Sequence, residues 1–276
     1  MRLHRIGDVR ARLGEERRAG RSVGLVPTMG AFHEGHLSLM RAARAENDVV
    51  LVSLFVNPTQ FGPGEDLDRY PRDVARDLEL ADGMGADVLF VPAPEEMYPP
   101  GFQTWVEVED LGSALEGAVR PGHFRGVATV CLKLFNIVQP DRAYFGQKDA
   151  QQVAVLRRML RDLDLPLELR VLPIVRDPDG LALSSRNAYL SHAQRAAALA
   201  LPRALAAGYR AWQAGDDPVR AAARILGSAG GVDVDYVAVA DFDPPTLAAA
   251  VRVGTTHLVD NVPLVAGQSG PTVIEE

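Results

Sequence analysis

The stretch PTMGAFHEGH, residues 27–36, sets two histidines, two glycines and a proline between an apolar run and the start of a helical pattern. His33 and His36 are three residues apart, so on the first turn of a helix their rings share one face. The N–H groups of a first turn have no intrahelical partner, and the helix dipole there favours an anion. Two imidazoles added to those donors suit phosphate, and above all the charge that grows in a phosphoryl-transfer transition state. Gly30 and Gly35 are expected to leave room for a bulky ligand against the backbone. Two other readings stand beside this one. H-E-G-H falls one residue short of the zinc motif H-E-x-x-H, and a metal would need a third ligand that no neighbouring Cys or His supplies. Alternatively, the histidines do no more than cap a helix end.

Three further loops carry residues of the same kind. Asn57 and Gln60 follow the apolar run 48–56, Lys148 and Asp149 follow AYF, and Ser184, Ser185 and Arg186 lie in the loop after VLPIV. With Thr28 and the two histidines, these make a convergent polar site the best reading. Two hydroxyls and a guanidinium in a row are apt donors for pyrophosphate oxygens, and Lys148 is a suitable cation. Asn57, Tyr70, Arg120 and Arg125 rank second, with Arg120 either a substrate-side cation or a solvent-facing arginine. The glycine- and acid-rich segment 61–72 has the composition of a lid that excludes water. His257 is expected to be structural.

Such loops need a frame. VGLVP (23–27), DVVLVSLFV (48–56), ADVLFVP (86–92), a run starting in PDRAYFGQ and LELRVLPIV (167–175) read as strands. Helical spacing marks 8–19, 36–47, 72–85, 124–138 and 149–163. The alternation predicts an α/β fold over residues 1–175, a doubly wound, Rossmann-like parallel sheet with helices on both faces. In that fold ligands bind beyond the carboxyl ends of the strands, where the strand order reverses, and all four polar loops fall there. From 176 the texture changes to a turn-rich loop, an alanine-rich helical stretch and alternating runs at 232–241 and 256–265. These predict a smaller α+β domain over 176–276.

Hydrophobic residues make up 47% and charged residues 24% of the 276, enough for a sizeable core in one large or two modest domains. The net charge of −7 argues against a non-specific grip on nucleic acid, although local cations can still hold a small anion. The single cysteine, Cys131, excludes an internal disulfide and reads as a small buried hydrophobe. The charged N-terminus lacks the apolar stretch of a signal peptide, and no apolar run approaches the ~20 residues that span a bilayer. The expectation is a cytoplasmic protein with no membrane or nucleic-acid partner.

PTMGAFHEGH, FVNPTQF, RPGHFRGVATV, FGQKDAQQ and LSSRN occur in that order. Together, through residues 23–190, they closely resemble the pantothenate synthetase family of the H-x-G-H nucleotidylyltransferases. The resemblance implies ATP-dependent condensation of pantoate with β-alanine through a pantoyl-adenylate, with release of AMP and pyrophosphate. It implies that Met29, Gly30, Ala31, Phe32, His33, Glu34, Gly35 and His36 line the ATP site, with His36 the family's proton donor. We read His36 more narrowly, with His33 and Lys148, as stabilising phosphate charge. Gly146, Gln147, Lys148 and Asp149 match the nucleotide loop, and Leu183, Ser184, Ser185 and Arg186 the mobile phosphate-binding loop. Val175 would touch adenine. Gln147 stands where many relatives have Glu, and Leu183 where Met is frequent. Gln60 and Gln152 are placed on pantoate, and Gln60 near β-alanine too; an amide both donates and accepts, as buried hydroxyls require. Mg²⁺ is implied because ATP reacts as its metal complex. A homodimer also follows from the resemblance, and the second domain is expected to close over the site. A nucleotidyltransferase acting on a phosphorylated acceptor and an ATP-sensing module are the rival readings.

Overall fold

In a strand, neighbouring side chains point to opposite faces. In the computed structural model, which describes residues 1–267, that alternation sorts the apolar runs into two cores. In β2 (Val23–Thr28), Val23 and Leu25 join one core and Val26 the other. In β3 (Val49–Leu54), Val49 and Leu51 part from Val50 and Val52; in β4 (Val88–Phe90), Val88 and Phe90 part from Leu89. Helices Ile6–Arg18, His123–Val138 and Ala150–Asp162 supply the first core, and helices Glu34–Glu46 and Val74–Gly83 the second. Burial on both faces is why these strands read as unbroken apolar runs. Cys131 lies inside the first core, where burial pushes its thiol up to about 12.

With β1 (Arg2–Leu3), β5 (Arg142–Gly146) and β6 (Glu168–Leu172), the strands form a six-stranded parallel sheet in the order β1-β4-β3-β2-β5-β6. The chain starts at one edge with β1, crosses to the middle at β2, builds back through β3 to β4 beside β1, then returns to the other side of β2 as β5. The order reverses between β2 and β5. There the ladder is short, pairing Gly24 with Arg142 and Leu25 with Ala143 only, whereas β2 pairs with β3 along all six residues. Beyond Leu25 the two strands lose their mutual bonds, which is the crevice where doubly wound folds bind ligands. The doubly wound α/β fold is as expected. The strand expected over 167–175 stops at Leu172, because Pro173 has no N–H for the ladder.

The chain divides into two compact units, residues 1–146 with 152–172, and 147–151 with the chain from Pro173 onward. The second unit has an antiparallel sheet, β7 (Asp233–Ala240), β8 (Thr246–Val253) and β9 (Thr256–Pro263), in that order. Its helices are His192–Ala198, Ala200–Gln213 and Pro218–Ser228. Two of these elements went unread in the sequence. The third helix opens on Asp217, whose carboxylate accepts the N–H groups of Val219 and Arg220, with Pro218 at the first helical position. Strand β8, TLAAAVRV, is buried over its first six residues and so has no alternation to see. Leu247 of β8 is fully buried in this unit's core. Leu247→Ala is expected to destabilise the protein by about 3 kcal/mol, read as a lower urea midpoint at unchanged slope.

Candidate active site

The chain leaves β2 through a turn that L-residues rarely adopt. Gly30 has φ 92° and Ala31, with a side chain, φ 53°. A non-glycine residue held there costs about 1–3 kcal/mol and needs surrounding structure to hold it. Asp77, buried on helix Val74–Gly83, does so: its two carboxylate oxygens accept the N–H groups of Ala31 and Phe32, each at 2.8 Å. The same carboxylate explains the glycine, since a Cβ on Gly30 would lie 2.8 Å from Asp77 Oδ2.

Helix Glu34–Glu46 follows, with His33 as its extended N-cap residue. The His33 backbone N–H donates to His36 Nδ1 at 3.4 Å, and the two rings lie 4.2 Å apart between centroids. An accepting Nδ1 puts the proton of a neutral His36 on Nε2, which leaves an Nε2–H to donate. The histidines therefore take part in starting the helix, and this does not compete with anion binding at the same first turn. Gly30 and Gly35 also have a use within the fold itself. A Cβ on Gly35 would lie 2.9 Å from His33 Cε1, so one glycine makes space for Asp77 and the other for the His33 ring.

The turn after β3 is fixed from several sides. Asn57, almost fully buried, accepts from the Thr59 and Tyr98 hydroxyls, each at 2.9 Å. It donates to Gln60 Oε1 at 3.0 Å and to the Gly126 carbonyl at 3.2 Å. Helix His123–Val138 comes so close that a Cβ on Gly126 would lie 2.4 Å from the Thr59 carbonyl oxygen. Gln60 is buried, and its Nε2 reaches the Met29 thioether at 3.3 Å, which joins this turn to the loop after β2. Arg120, weighed above as a substrate-side cation, is committed elsewhere: it forks onto Glu65, at 2.9 Å and 2.5 Å. Burial alone would push the Glu65 carboxyl up, but the Arg120 hydrogen bond and charge outweigh it and hold its pKa below the ordinary value. Arg125 lies over the Trp105 ring, and Tyr70 is buried edge-on to Phe61. Burial, then the nearby Arg120 charge, lowers His123 to about 4, so it is neutral at neutral pH.

In the second unit, Asn261 of β9 clamps the loop after β5. Its Nδ2 donates to the carbonyls of Gln147 and Lys148, each at 2.9 Å, and its Oδ1 accepts from Gln147 Nε2 at 3.1 Å. Lys148 Nζ lies 3.5 Å from Asp149. The adjacent Asp260, buried, takes both arms of Arg176 at 2.7 and 3.0 Å. That pair anchors the hairpin in which Leu183 N–H donates to the Val175 carbonyl at 3.0 Å. Ser184 caps the short helix Ser185–Tyr189, accepting from Arg186 N–H. His257 lies 2.9 Å from the Asp235 carboxylate on β7.

Within the first unit, Met29, Gly30, Ala31, Phe32, His33, Glu34, Gly35 and His36 thus form one loop and helix start, joined to Gln60 through the Met29 sulfur. Gly146 ends β5 at the crevice, and Gln152 lies half-buried near the start of helix Ala150–Asp162. The second unit gathers Gln147 and Lys148 on Asn261, Asp149 beside Lys148, and Val175 with Leu183 through Arg186 in and after its hairpin. Asp77, His123, Asp260 and Asn261 are positioning groups that sequence reasoning missed. Asp77 alone left a trace, as an acid spaced to share a helix face with Val74 and Ala81. Among the described residues, no group of three or more His, Cys, Asp or Glu side chains could hold a metal ion, and no helix is long and apolar enough to cross a membrane.

Comparison with known proteins fits this geometry. The pantoate-beta-alanine ligase family matches residues 2–263. The chain belongs to that family. Pantothenate synthetase of Moorella thermoacetica is 55% identical, with 95% of this chain and 98% of the relative covered. That of Roseiflexus castenholzii is 57% identical over 89% of this chain and 93% of the relative. The crystal structure of pantothenate synthetase from Thermus thermophilus superposes with a TM-score of 0.90 at 46% identity, covering 95% of this chain and 99% of that one. A pantoate-beta-alanine ligase from Francisella tularensis, solved with beta-gamma ATP and β-alanine, gives 0.82 at 31%, with 99% of each chain covered. As a member of this family the chain is an AMP-forming acid–amine ligase rather than a sensor.

Two outcomes follow for this family member. Asp77→Ala, which removes both acceptors beneath Ala31 and Phe32, is expected to raise the KM for ATP by on the order of tenfold, measured in steady state with pantoate and β-alanine saturating. Stability should also fall with acid. The contribution from keeping His123 neutral is complete above its ordinary 6.5 and is lost as pH drops from there to about 4. Glu65, whose folded pKa is depressed, adds a loss in the same direction at lower pH. The urea midpoint should fall from pH 7 to pH 5, and His123→Asn should narrow the difference.

Proposed function

We propose that the chain makes pantothenate in two steps. In the first, a pantoate carboxylate oxygen attacks the α-phosphorus of ATP, the bond to the β-phosphate oxygen breaks, and pyrophosphate leaves. In the second, the β-alanine nitrogen, having lost a proton, attacks the acyl carbon of the pantoyl-adenylate; the amide forms and AMP departs. An ionised carboxylate needs positioning and charge neutralisation more than a base, so the burden falls on donors and cations. The observation that carries this reading is the loop after β2: His33 and His36 at a helix start, beside the crevice where β2 and β5 part.

In this reading His36, through Nε2–H, with His33 and Lys148, stabilises charge on the phosphates and on the leaving pyrophosphate. Met29, Gly30, Ala31, Phe32, Glu34 and Gly35 complete the wall of the ATP site. Gly146, Gln147 and Asp149 take the ribose, Val175 the adenine, and Leu183, Ser184, Ser185 and Arg186 the phosphates. Gln60 and Gln152 hold the hydroxyls of pantoate, and Gln60 also meets β-alanine. Gln60 suits the task because, among the described residues, its Nε2 has only a thioether as partner, a weak acceptor that a hydroxyl displaces. Mg²⁺ would enter as the metal complex of ATP, where it would neutralise phosphate charge. The reading includes closure of the second unit over the site, a homodimer and a cytoplasmic setting.

The decisive measurement is exchange of labelled pyrophosphate into ATP with Mg²⁺ and pantoate but no β-alanine. Exchange that requires pantoate is expected, and β-alanine should then yield AMP and pantothenate in equal amounts. Exchange without pantoate, or a product that retains the nucleotide, would sink the adenylate reading. His36→Ala should lower kcat by about 10²–10³-fold, as loss of one transition-state donor does elsewhere; turnover within threefold of the parent would remove His36 from the phosphates.

A further inference from the structure

Gln60 is oriented through its backbone. Its carbonyl oxygen accepts from His123 Nδ1 at 2.8 Å and from Arg120 Nη2 at 3.3 Å. A carbonyl can only accept, so His123 carries its proton on Nδ1, and its Nε2 lone pair faces Arg120 Nη1 at 3.3 Å. The guanidinium is itself held by the fork onto Glu65, in the 61–72 segment. Two side chains thus meet at one backbone oxygen, and a third, Glu65, holds one of them. On the far side of the residue the hold is softer: Oε1 accepts from Asn57, while Nε2 rests on the Met29 sulfur. The amide's direction is therefore set by the anchored backbone more than by strong partners of its own.

We infer that His123 is a positioning residue for the acyl substrate: its Nδ1–H, with Arg120 held by Glu65, fixes the Gln60 backbone so that the Gln60 amide is presented to pantoate. The inference rests on the reading of Gln60 as a pantoate ligand. Burial keeps the ring neutral through the working pH range, so the Nδ1–H donor and the Nε2 acceptor persist together. Protonation would set a cation beside Arg120 and remove the lone pair that faces it. The same arrangement ties the 61–72 segment to the substrate residue, since Glu65 and Gln60 are joined through one guanidinium.

Steady-state kinetics on the full chain test this. His123→Phe keeps an aromatic ring and removes the donor; His123→Asn sets an amide N–H near the Nδ1 position. The Phe variant should raise the pantoate KM by about five- to tenfold while the ATP KM stays within twofold, and Asn should recover most of the loss. A double-mutant cycle with Gln60→Ala should be non-additive, the pair no worse than Gln60→Ala alone. Additive effects, an ATP KM that rises as far as that for pantoate, or an Asn variant no better than Phe would each overturn the inference. If Gln60→Ala leaves the pantoate KM unchanged, the reading of Gln60 falls and this inference with it. If Gln60→Ala raises it and His123→Phe does not, the inference alone falls. Should His123→Phe not fold, Glu65→Gln loosens the fork without touching the core: a two- to threefold rise in pantoate KM alone supports the inference, and no change overturns it.

Discussion

Two backbone N–H groups must find acceptors once the chain leaves β2 with Gly30 and Ala31 at positive φ, and the carboxylate of Asp77 receives both. Everything downstream follows from that contact. It fixes the entry of helix Glu34–Glu46, hence the positions of His33 and His36 on its first turn. It excludes a side chain at residue 30 and leaves the 29 side chain to meet Gln60. A buried carboxylate used in this way is satisfied by hydrogen bonds rather than by a cation, which leaves the cations of the chain for other work.

The sheet supplies the second constraint. Because β2 is covered on both faces and bonded to β3 along its full length, its carboxyl end cannot shift to suit a ligand. On the β5 side the ladder stops after two pairs, so room at the switch point comes from the topology rather than from flexibility. The second unit uses the same economy: adjacent residues Asp260 and Asn261 of one strand hold two different loops, one through Arg176 and one through the carbonyls of 147 and 148.

Much of this was legible in the residues. The doubly wound sheet announced itself because strands buried on both faces are unbroken runs of Val and Leu, and the polar loops follow each run. The helix start at H-E-G-H was legible too, since it depends on residue type at helical spacing. What stayed hidden has physical causes. Strand β8 is built on alanines, poor strand formers, and its double burial removes the alternation. Asp77, His123 and Asn261 act on backbone atoms far along the chain, and a side chain that meets a distant carbonyl or N–H leaves no period in the sequence. The glycines were partly legible: the need for space was visible, while the protein groups that use it, a carboxylate in one case and an imidazole in the other, were not.

The burial of Cys131 has a practical consequence. The thiolate is the reactive form of cysteine, and a thiol pushed up to about 12 inside the sheet's core presents almost none of it. As the single cysteine of the chain, it can meet an alkylating reagent only when the first unit opens. Its labelling rate under native conditions is therefore a built-in gauge of the opening equilibrium of that unit, read from one atom without introducing any probe.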